Sequence, residues 1–337
     1  DAVRVSILMI APQGLDILFS EDRLEQGRNF MNKLWNSARF ILMNLEGEIP
    51  GGLDAINDDD LDFTDKWILS KLNRTIDEVN HSYDAYKLNE SIKRVYDFTW
   101  ADFCDWYIEF AKTRFYGEDE KDRKIAQTVS VHVMRELLKL LHPYCPFITE
   151  ELWTHFKTKN NTIMITTKWP ISNANFITNT IENEVQTLMS VISAVRNVRA
   201  SLNVSPGKEA NLTIRGKQEI CNSLKKYEGY LQRLAKLEKI HLGEKEEKPP
   251  KSATAVVKGL ELFVPLAGLI DINKEIERLE KQIEDMNGRL RAVNNKLQNK
   301  NFVDRAPENI ISHERDKQKN YETDLAKLQD NLQSLQI

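Results

Sequence analysis

Residues 26–44 of this chain separate into two faces when drawn as a helix at roughly 100° per residue. Phe30, Met31, Leu34, Trp35, Ala38, Ile41 and Leu42 fall on one arc of about 140°, the width of a stripe that packs on a core. The opposite arc gathers Arg28, Asn29, Asn32, Lys33, Asn36 and Arg39, without a carboxylate, and also holds Phe40, an aromatic ring outside the apolar stripe. Further along, Trp67, Ile68, Leu72, Ile76 and Val79 keep helical spacing behind a capping Thr64. Residues 87–115 and 122–142 read as long helices, the second stopped by Pro143, and Pro146 suits the first turn of a short helix reaching Phe156. These helices predict an antiparallel bundle.

The pattern changes after Lys168-Trp-Pro170. A helix is predicted over 177–202, then a strand over 209–215, a helix over 218–235 and strands over 239–242, 253–258 and 260–264, which makes a small α+β module. The Lys- and Glu-rich stretch 243–251 reads as a surface connection. From Leu269 the chain shows its strongest periodicity. Leu269, Ile272, Ile276, Leu279, Ile283, Met286, Leu290, Val293 and Leu297 alternate spacings of three and four, the seam of a coiled coil. Residues 299–306 interrupt it, and a second helix starting at Pro307 carries the spacing on more loosely through Ile311, Tyr321, Leu325, Leu328, Leu332 and Leu335. Two such helices with a short link fold back antiparallel as a hairpin; the alternative is pairing between chains.

Composition narrows this picture. With 29% charged residues, a formal charge of −4 and few glycines and prolines, a chain of 337 residues is a helix-rich globular protein of two or three domains. No apolar run reaches bilayer length, so no membrane partner is expected. The net charge excludes a protein coated in basic residues, and nucleic-acid binding would rest on local patches. Three cysteines, Cys104, Cys145 and Cys221, are too few and too scattered for a disulfide framework or a zinc set, and a cytoplasmic location is the default. The first residue is Asp1, without a signal peptide behind it, and the chain reads as a piece of something larger.

Candidate chemistry is thin. No glycine-rich phosphate loop, metal-spaced histidine pair or nucleophile motif stands in the sequence, so no catalytic, cofactor or metal residue is proposed. Cations, amides and an exposed ring on one helix face suit single-stranded RNA, whose unstacked bases need a flat apolar partner and whose phosphates need charge. The same pattern fits a solvated face with Phe40 tucked under a neighbouring helix. On the segment 100–109, Phe103, Trp106, Tyr107 and Phe110 share a core-type arc, and Ile108 sits at its border beside Asp105 and Lys112. Arg196, Arg199 and Lys208 lie in a second carboxylate-free stretch, 185–208, where they either follow an RNA backbone or pair with acidic groups of the bundle.

These residues resemble the C-terminal portion of valyl-tRNA synthetases over the whole chain. Asp1-Ala-Val-Arg4 resembles the helix after the KMSKS loop of class I synthetases, and Gly14-Leu-Asp16-Ile resembles the valyl enzymes' Gly-x-Asp-Ile element. Arg28-Asn-Phe-x-Asn-Lys-Leu-Trp-Asn36 and Phe103-Cys-Asp-Trp-Tyr107 resemble their anticodon-domain signatures. Pro265-Leu-Ala-Gly-Leu-Ile-Asp271 with the heptads, and Asn301-Phe-Val-x-x-Ala-Pro307, resemble their C-terminal coiled coil. Isoleucyl and leucyl enzymes share the bundle but not this combination.

The resemblance implies a mainly α fold in four parts: a stem-contact remnant over 1–22, an anticodon-binding antiparallel helix bundle over 23–170, a helix with a small α+β junction module over 171–268, and a coiled-coil tRNA-binding arm over 269–337. It implies contact with the anticodon of valine tRNA at Arg28, Asn32, Lys33, Asn36, Arg39, Phe40, Asp105, Ile108 and Lys112. It implies contact with the tRNA's outer corner at Lys317, with Arg289 or Arg291 standing in where Ala292 replaces the arginine of other members. Neither the HIGH nor the KMSKS element nor an editing domain is in this sequence. The implied chain is therefore a monomeric tRNA-binding part, inactive alone and without a cofactor, of a parent that joins valine to its tRNA using ATP with magnesium. The competing readings are a coiled-coil scaffold joining proteins and the same region of an isoleucyl or leucyl enzyme.

Overall fold

A computed structural model describes residues 1–10, 21–45, 47, 49–157, 163–299 and 307–336. The Gly14-Leu-Asp16-Ile element and residues 301–306 of the Asn301-Phe-Val motif lie outside the described residues. The described chain divides into two compact units, Asp1–Gln186 and Thr187–Ile337.

The first unit is helical throughout. Helices α1 (Ala2–Ile10) and α2 (Glu21–Met43) pack on one another. They do so at Gly27, where a Cβ would stand 2.3 Å from the Ala2 carbonyl oxygen, so only glycine allows the approach. Helix α3 (Phe63–Asp84) opens with a capping box: Asp62 accepts from the Thr64 amide and Asp65 accepts from the Asp62 amide. The long helix expected over 87–115 is continuous but not uniform. It runs as α4 (Leu88–Asp97), a π-helical stretch Phe98–Tyr107 and α5 (Ile108–Phe115). Helix α6 (Glu120–Leu141) is capped by Asp119, and α7 (Pro146–Phe156) begins at its proline. Phe30, Leu34, Trp67, Ile68, Phe103, Phe110, Leu137, Trp153 and Phe156 form the core.

The stripe of α2 is as expected with one correction. Phe30, Met31, Leu34, Ala38 and Ile41 are buried, whereas Trp35 is 41% exposed. It occupies the outermost position of the arc, where neighbouring helices no longer cover the face.

Helix α8 (Asn179–Ser201) begins in the first unit and ends in the second. A four-stranded sheet follows in the order β2-β1-β4-β3: β1 (Ala210–Arg215), β2 (Leu237–Gly243), β3 (Ser252–Val257) and β4 (Leu260–Pro265). Strands β1 and β2 are parallel, joined by a crossover that is two helices, α9 (Gln218–Lys225) and α10 (Glu228–Ala235), rather than the single one expected. Strands β3 and β4 form a hairpin, Val257 opposite Leu260. Its two loop residues, Lys258 and Gly259, both have positive φ, 48° and 76°, the geometry that matches strand twist in a tight hairpin.

The chain ends in α11 (Ile272–Gln298) and a last helix, α12 (Glu308–Gln336), which pack against each other. Gln318 donates to Asn294 at 2.8 Å and Lys296 reaches Glu314 at 3.7 Å, pairs that define an antiparallel hairpin. The looser spacing expected of the second helix is a full heptad seam when Glu314 and Gln318 are counted in it. Residues 311, 314, 318, 321, 325, 328 and 332 are all buried or half-buried.

Candidate nucleic-acid interface

A groove of about 420 Å³ opens between α2 and the helix that runs through the π-stretch into α5. It is lined by Asn29, Asn32, Lys33, Asn36, Ser37 and Phe40 on one side and Cys104, Ile108, Glu109 and Lys112 on the other. Six of the nine anticodon candidates, Asn32, Lys33, Asn36, Phe40, Ile108 and Lys112, therefore meet in one place. Asp105 joins through an ion pair with Lys33. Arg28 and Arg39 do not line the groove. Both are exposed on α2, Arg28 paired with Glu25 at 3.2 Å and Arg39 without a partner among the described residues.

The π-stretch builds the second wall. The Ile108 amide donates to the Phe103 carbonyl, five residues back, and each such widened turn rotates the following side chains away from their α-helical phase. That is why Ile108, placed at a border by 100° spacing, is 4% exposed. Sequence periodicity carries no signal for a π-turn, so this rotation was not legible.

Each lysine is bound twice. Lys33 pairs with Asp105 and holds its ammonium 3.9 Å from the ring centre of Trp100, and Lys112 pairs with Glu109 and lies 5.4 Å from the ring of Phe40. Glu109 and Trp100 were not singled out in the sequence. Ser37 donates to Cys104 Sγ at 3.1 Å on the groove floor, and burial pushes the Cys104 thiol up to about 11, which keeps it protonated. Phe40 packs against a neighbouring helix, its ring stacked on Phe115 at 5.8 Å and 27°, and it also lines the groove, half-buried. The groove thus offers amides, paired donors and acceptors and one apolar wall, with its lysine and carboxylate charges balanced. Such a lining matches the edges of bases better than bare phosphates.

The other cation cluster has a different fate. Arg196 donates to the Leu234 carbonyl at 3.0 Å, Arg199 to the carbonyls of Lys236, Ser205 and Lys208, and Lys208 to those of Gly268 and Leu269. Backbone carbonyls, and not the acidic groups of the bundle, are thus the partners of Arg199 and Lys208, which tie connecting segments together beside the sheet. Arg199 is 7% exposed, and burial lowers its pKa.

On the hairpin, Arg289 pairs with Asp285 at 2.8 Å and Arg291 donates to the Asn287 carbonyl at 3.3 Å. Lys317 pairs with Glu314 at 3.0 Å. Glu314 is 6% exposed within the seam, and hydrogen bonding by Lys317 holds its carboxyl below the usual range. Among the described residues no group of three or more His, Cys, Asp or Glu could hold a metal ion, and no helix is long and apolar enough to cross a membrane.

Residues 65–214 match the anticodon-binding domain of tRNA ligases, and residues 271–336 match the valyl tRNA synthetase tRNA binding arm. The α5 wall of the groove lies inside the first match and α2 precedes it. Valine–tRNA ligase of Oceanobacillus iheyensis is 37% identical over 99% of this chain, and that of Clostridium acetobutylicum is 39% identical over 99%. The chain spans 38% of the length of each. Among solved structures, a LeuRS from Agrobacterium radiobacter K84 in a ternary complex with tRNA and LeuAMS aligns at a TM-score of 0.41 and 20% identity, over 62% of this chain and 26% of that one.

Proposed function

Because this chain belongs to the valyl-tRNA synthetase family and corresponds to the C-terminal part of its members, we propose that it holds valine tRNA for the attachment of valine. The observation that carries the proposal is the α2–α5 groove, where six residues from two segments distant in sequence converge on a lining suited to unstacked bases. The groove takes the anticodon loop. Asn32 and Asn36 offer both donors and acceptors to base edges, the Lys33–Asp105 and Lys112–Glu109 pairs offer a donor beside an acceptor, and Phe40 with Ile108 provides the apolar surface. Arg28 and Arg39, exposed on the same helix, take neighbouring phosphates.

The hairpin leans on the tRNA's outer corner through Lys317 and Arg289 or Arg291. Residues 1–22 serve the stem, 23–170 the anticodon, 171–268 the junction and 269–337 the corner. The chain acts in the cytoplasm as a monomer; α11 and α12 cover each other's seam within one chain, which supports that state over a scaffold paired between chains. Contacts made so far from the reacting atoms raise turnover by fixing the acceptor end in place. ATP with magnesium belongs to the part of the family's members that this chain does not span.

The test is binding to valine tRNA across a salt series, beside the same tRNA with its anticodon replaced and an isoleucine tRNA. Loss confined to the altered anticodon is the expected result. Equal, steeply salt-dependent binding to all three would overturn the anticodon reading and leave only electrostatic attachment.

A further inference from the structure

The groove's second wall is held from behind by a buried ionic network. Tyr107, the last residue of the π-stretch and 0% exposed, donates its hydroxyl to Asp65 at 2.8 Å. Arg114 in α5 donates through Nη1 to both Asp65 oxygens at 2.7 Å, and through Nε to Asp122 at 2.8 Å. Asp65 is 0% and Arg114 4% exposed, so the pair has left water almost completely. Burial opposes the guanidinium's charge, but Asp65 and Asp122 outweigh it and hold the Arg114 pKa above its ordinary value. One network therefore ties the first turn of α3, the end of the π-stretch, α5 and the first turn of α6.

Stability alone does not call for charges here, because apolar residues of similar volume serve a core at least as well. What a doubly bonded carboxylate and guanidinium supply is a fixed distance and a fixed rotation. Rotation is what a π-stretch leaves open, since exchanging a five-residue bond for a four-residue one swings the side chains beyond it. Asp105 stands two residues before Tyr107, Ile108 one after it, and Lys112 two before Arg114.

We propose that Asp65, Tyr107 and Arg114 are positioning residues that set the rotation of this widened helix, and so hold Asp105, Ile108 and Lys112 against α2 in the arrangement that reads an RNA loop. This rests on the anticodon reading above. None of the three lines the groove, so they act through the residues that do.

Tyr107→Phe removes one hydroxyl and leaves the ring, and Asp122→Asn loosens Arg114 from its solvent side. Each whole-chain variant is titrated, below its thermal midpoint, with the valine anticodon stem-loop and with the same stem carrying a replaced loop. Affinity for the valine loop should fall about five- to tenfold in Tyr107→Phe, and less in Asp122→Asn, while the replaced loop binds as before. The salt slope should not change, because no phosphate contact is removed. The near-ultraviolet circular dichroism of Trp100 and Trp106 should shift with the loss. Equal weakening toward both loops, or discrimination as sharp as wild type in both variants, would overturn the proposal. A wild-type chain that binds both loops alike would overturn the anticodon reading and this proposal with it.

Discussion

Removing the Phe40 ring separates its two roles, because packing and stacking respond differently to Ala and Leu. In Phe40→Ala the stack on Phe115 is lost, worth about 0.5–1.5 kcal/mol, together with the Lys112 contact, worth about 0.5–1 kcal/mol at a solvent-facing site. The ring is half-buried, so lost burial adds roughly 1 kcal/mol, and the sum is about 2–3.5 kcal/mol. In a unit of 186 residues this lowers the thermal midpoint by roughly 5–10 °C. If a base stacks on the exposed part of the ring, affinity for the anticodon stem-loop falls by about 1–3 kcal/mol as well, roughly 5- to 150-fold in Kd. Phe40→Leu keeps an apolar side chain against Phe115 and so retains most of the burial, costing about 1 kcal/mol less stability than Phe40→Ala. It has no aromatic face, so it should lose nearly as much RNA affinity as Phe40→Ala. Calorimetry of the free chain and stem-loop titration, both on the two variants, make the comparison. Wild-type RNA affinity in Phe40→Leu would refute stacking and leave Phe40 as packing alone.

Lys317→Ala should reduce the slope of log affinity against log salt by about one if Lys317 releases Glu314 for a phosphate; an unchanged slope would leave it as Glu314's partner only. Glu314→Leu replaces a seam carboxylate whose Oε2 has no hydrogen-bond partner among the described residues, and should raise the hairpin's urea midpoint, read by far-ultraviolet circular dichroism. A lower midpoint would mean that the Lys296 and Lys317 bonds contribute more than burial of the carboxylate costs. Burial lowers the pKa of His132 and of His142 from the ordinary 6.5, so both stay neutral in the fold while the unfolded chain takes up protons. Their contribution is complete above 6.5 and is lost as pH falls through that value toward the folded pKa. His81 acts oppositely, raised mainly by its bond to the Asp77 carbonyl, but it is exposed. The thermal midpoint should drop between about pH 7.5 and pH 5.5, and His132→Gln should flatten the drop; an equal drop in the variant would exclude His132 as a source.

Much of the architecture was legible because it depends on neighbours along the chain. The three-and-four spacing of residues 269–297 specifies an apolar seam, and a seam with a nearby continuation can close on itself. The proline at 146 is local geometry that residue types dictate, whereas the cap of α3 fell on Asp62, two residues before the expected Thr64, and Lys258 left its expected strand for the hairpin turn. The donor face of α2 was legible in the same way. It was visible as an oddity of composition before any partner was known.

What the tertiary structure decided was who stands opposite whom. Residue types reveal neither the π-stretch nor the bonds among Asp65, Tyr107, Arg114 and Asp122 behind it, which join residues spread over 57 positions of sequence. Ile108 therefore went from border to buried, and Glu109 and Trp100 entered the site unannounced. Arg199 and Lys208 found backbone carbonyls in the segments between helices and strands, which no spacing rule encodes. Trp35 came out exposed because a stripe's edge is buried only as far as its neighbours extend. Periodicity selects the face of a helix; only the packed partners determine how far round that face burial goes and which charges meet across it.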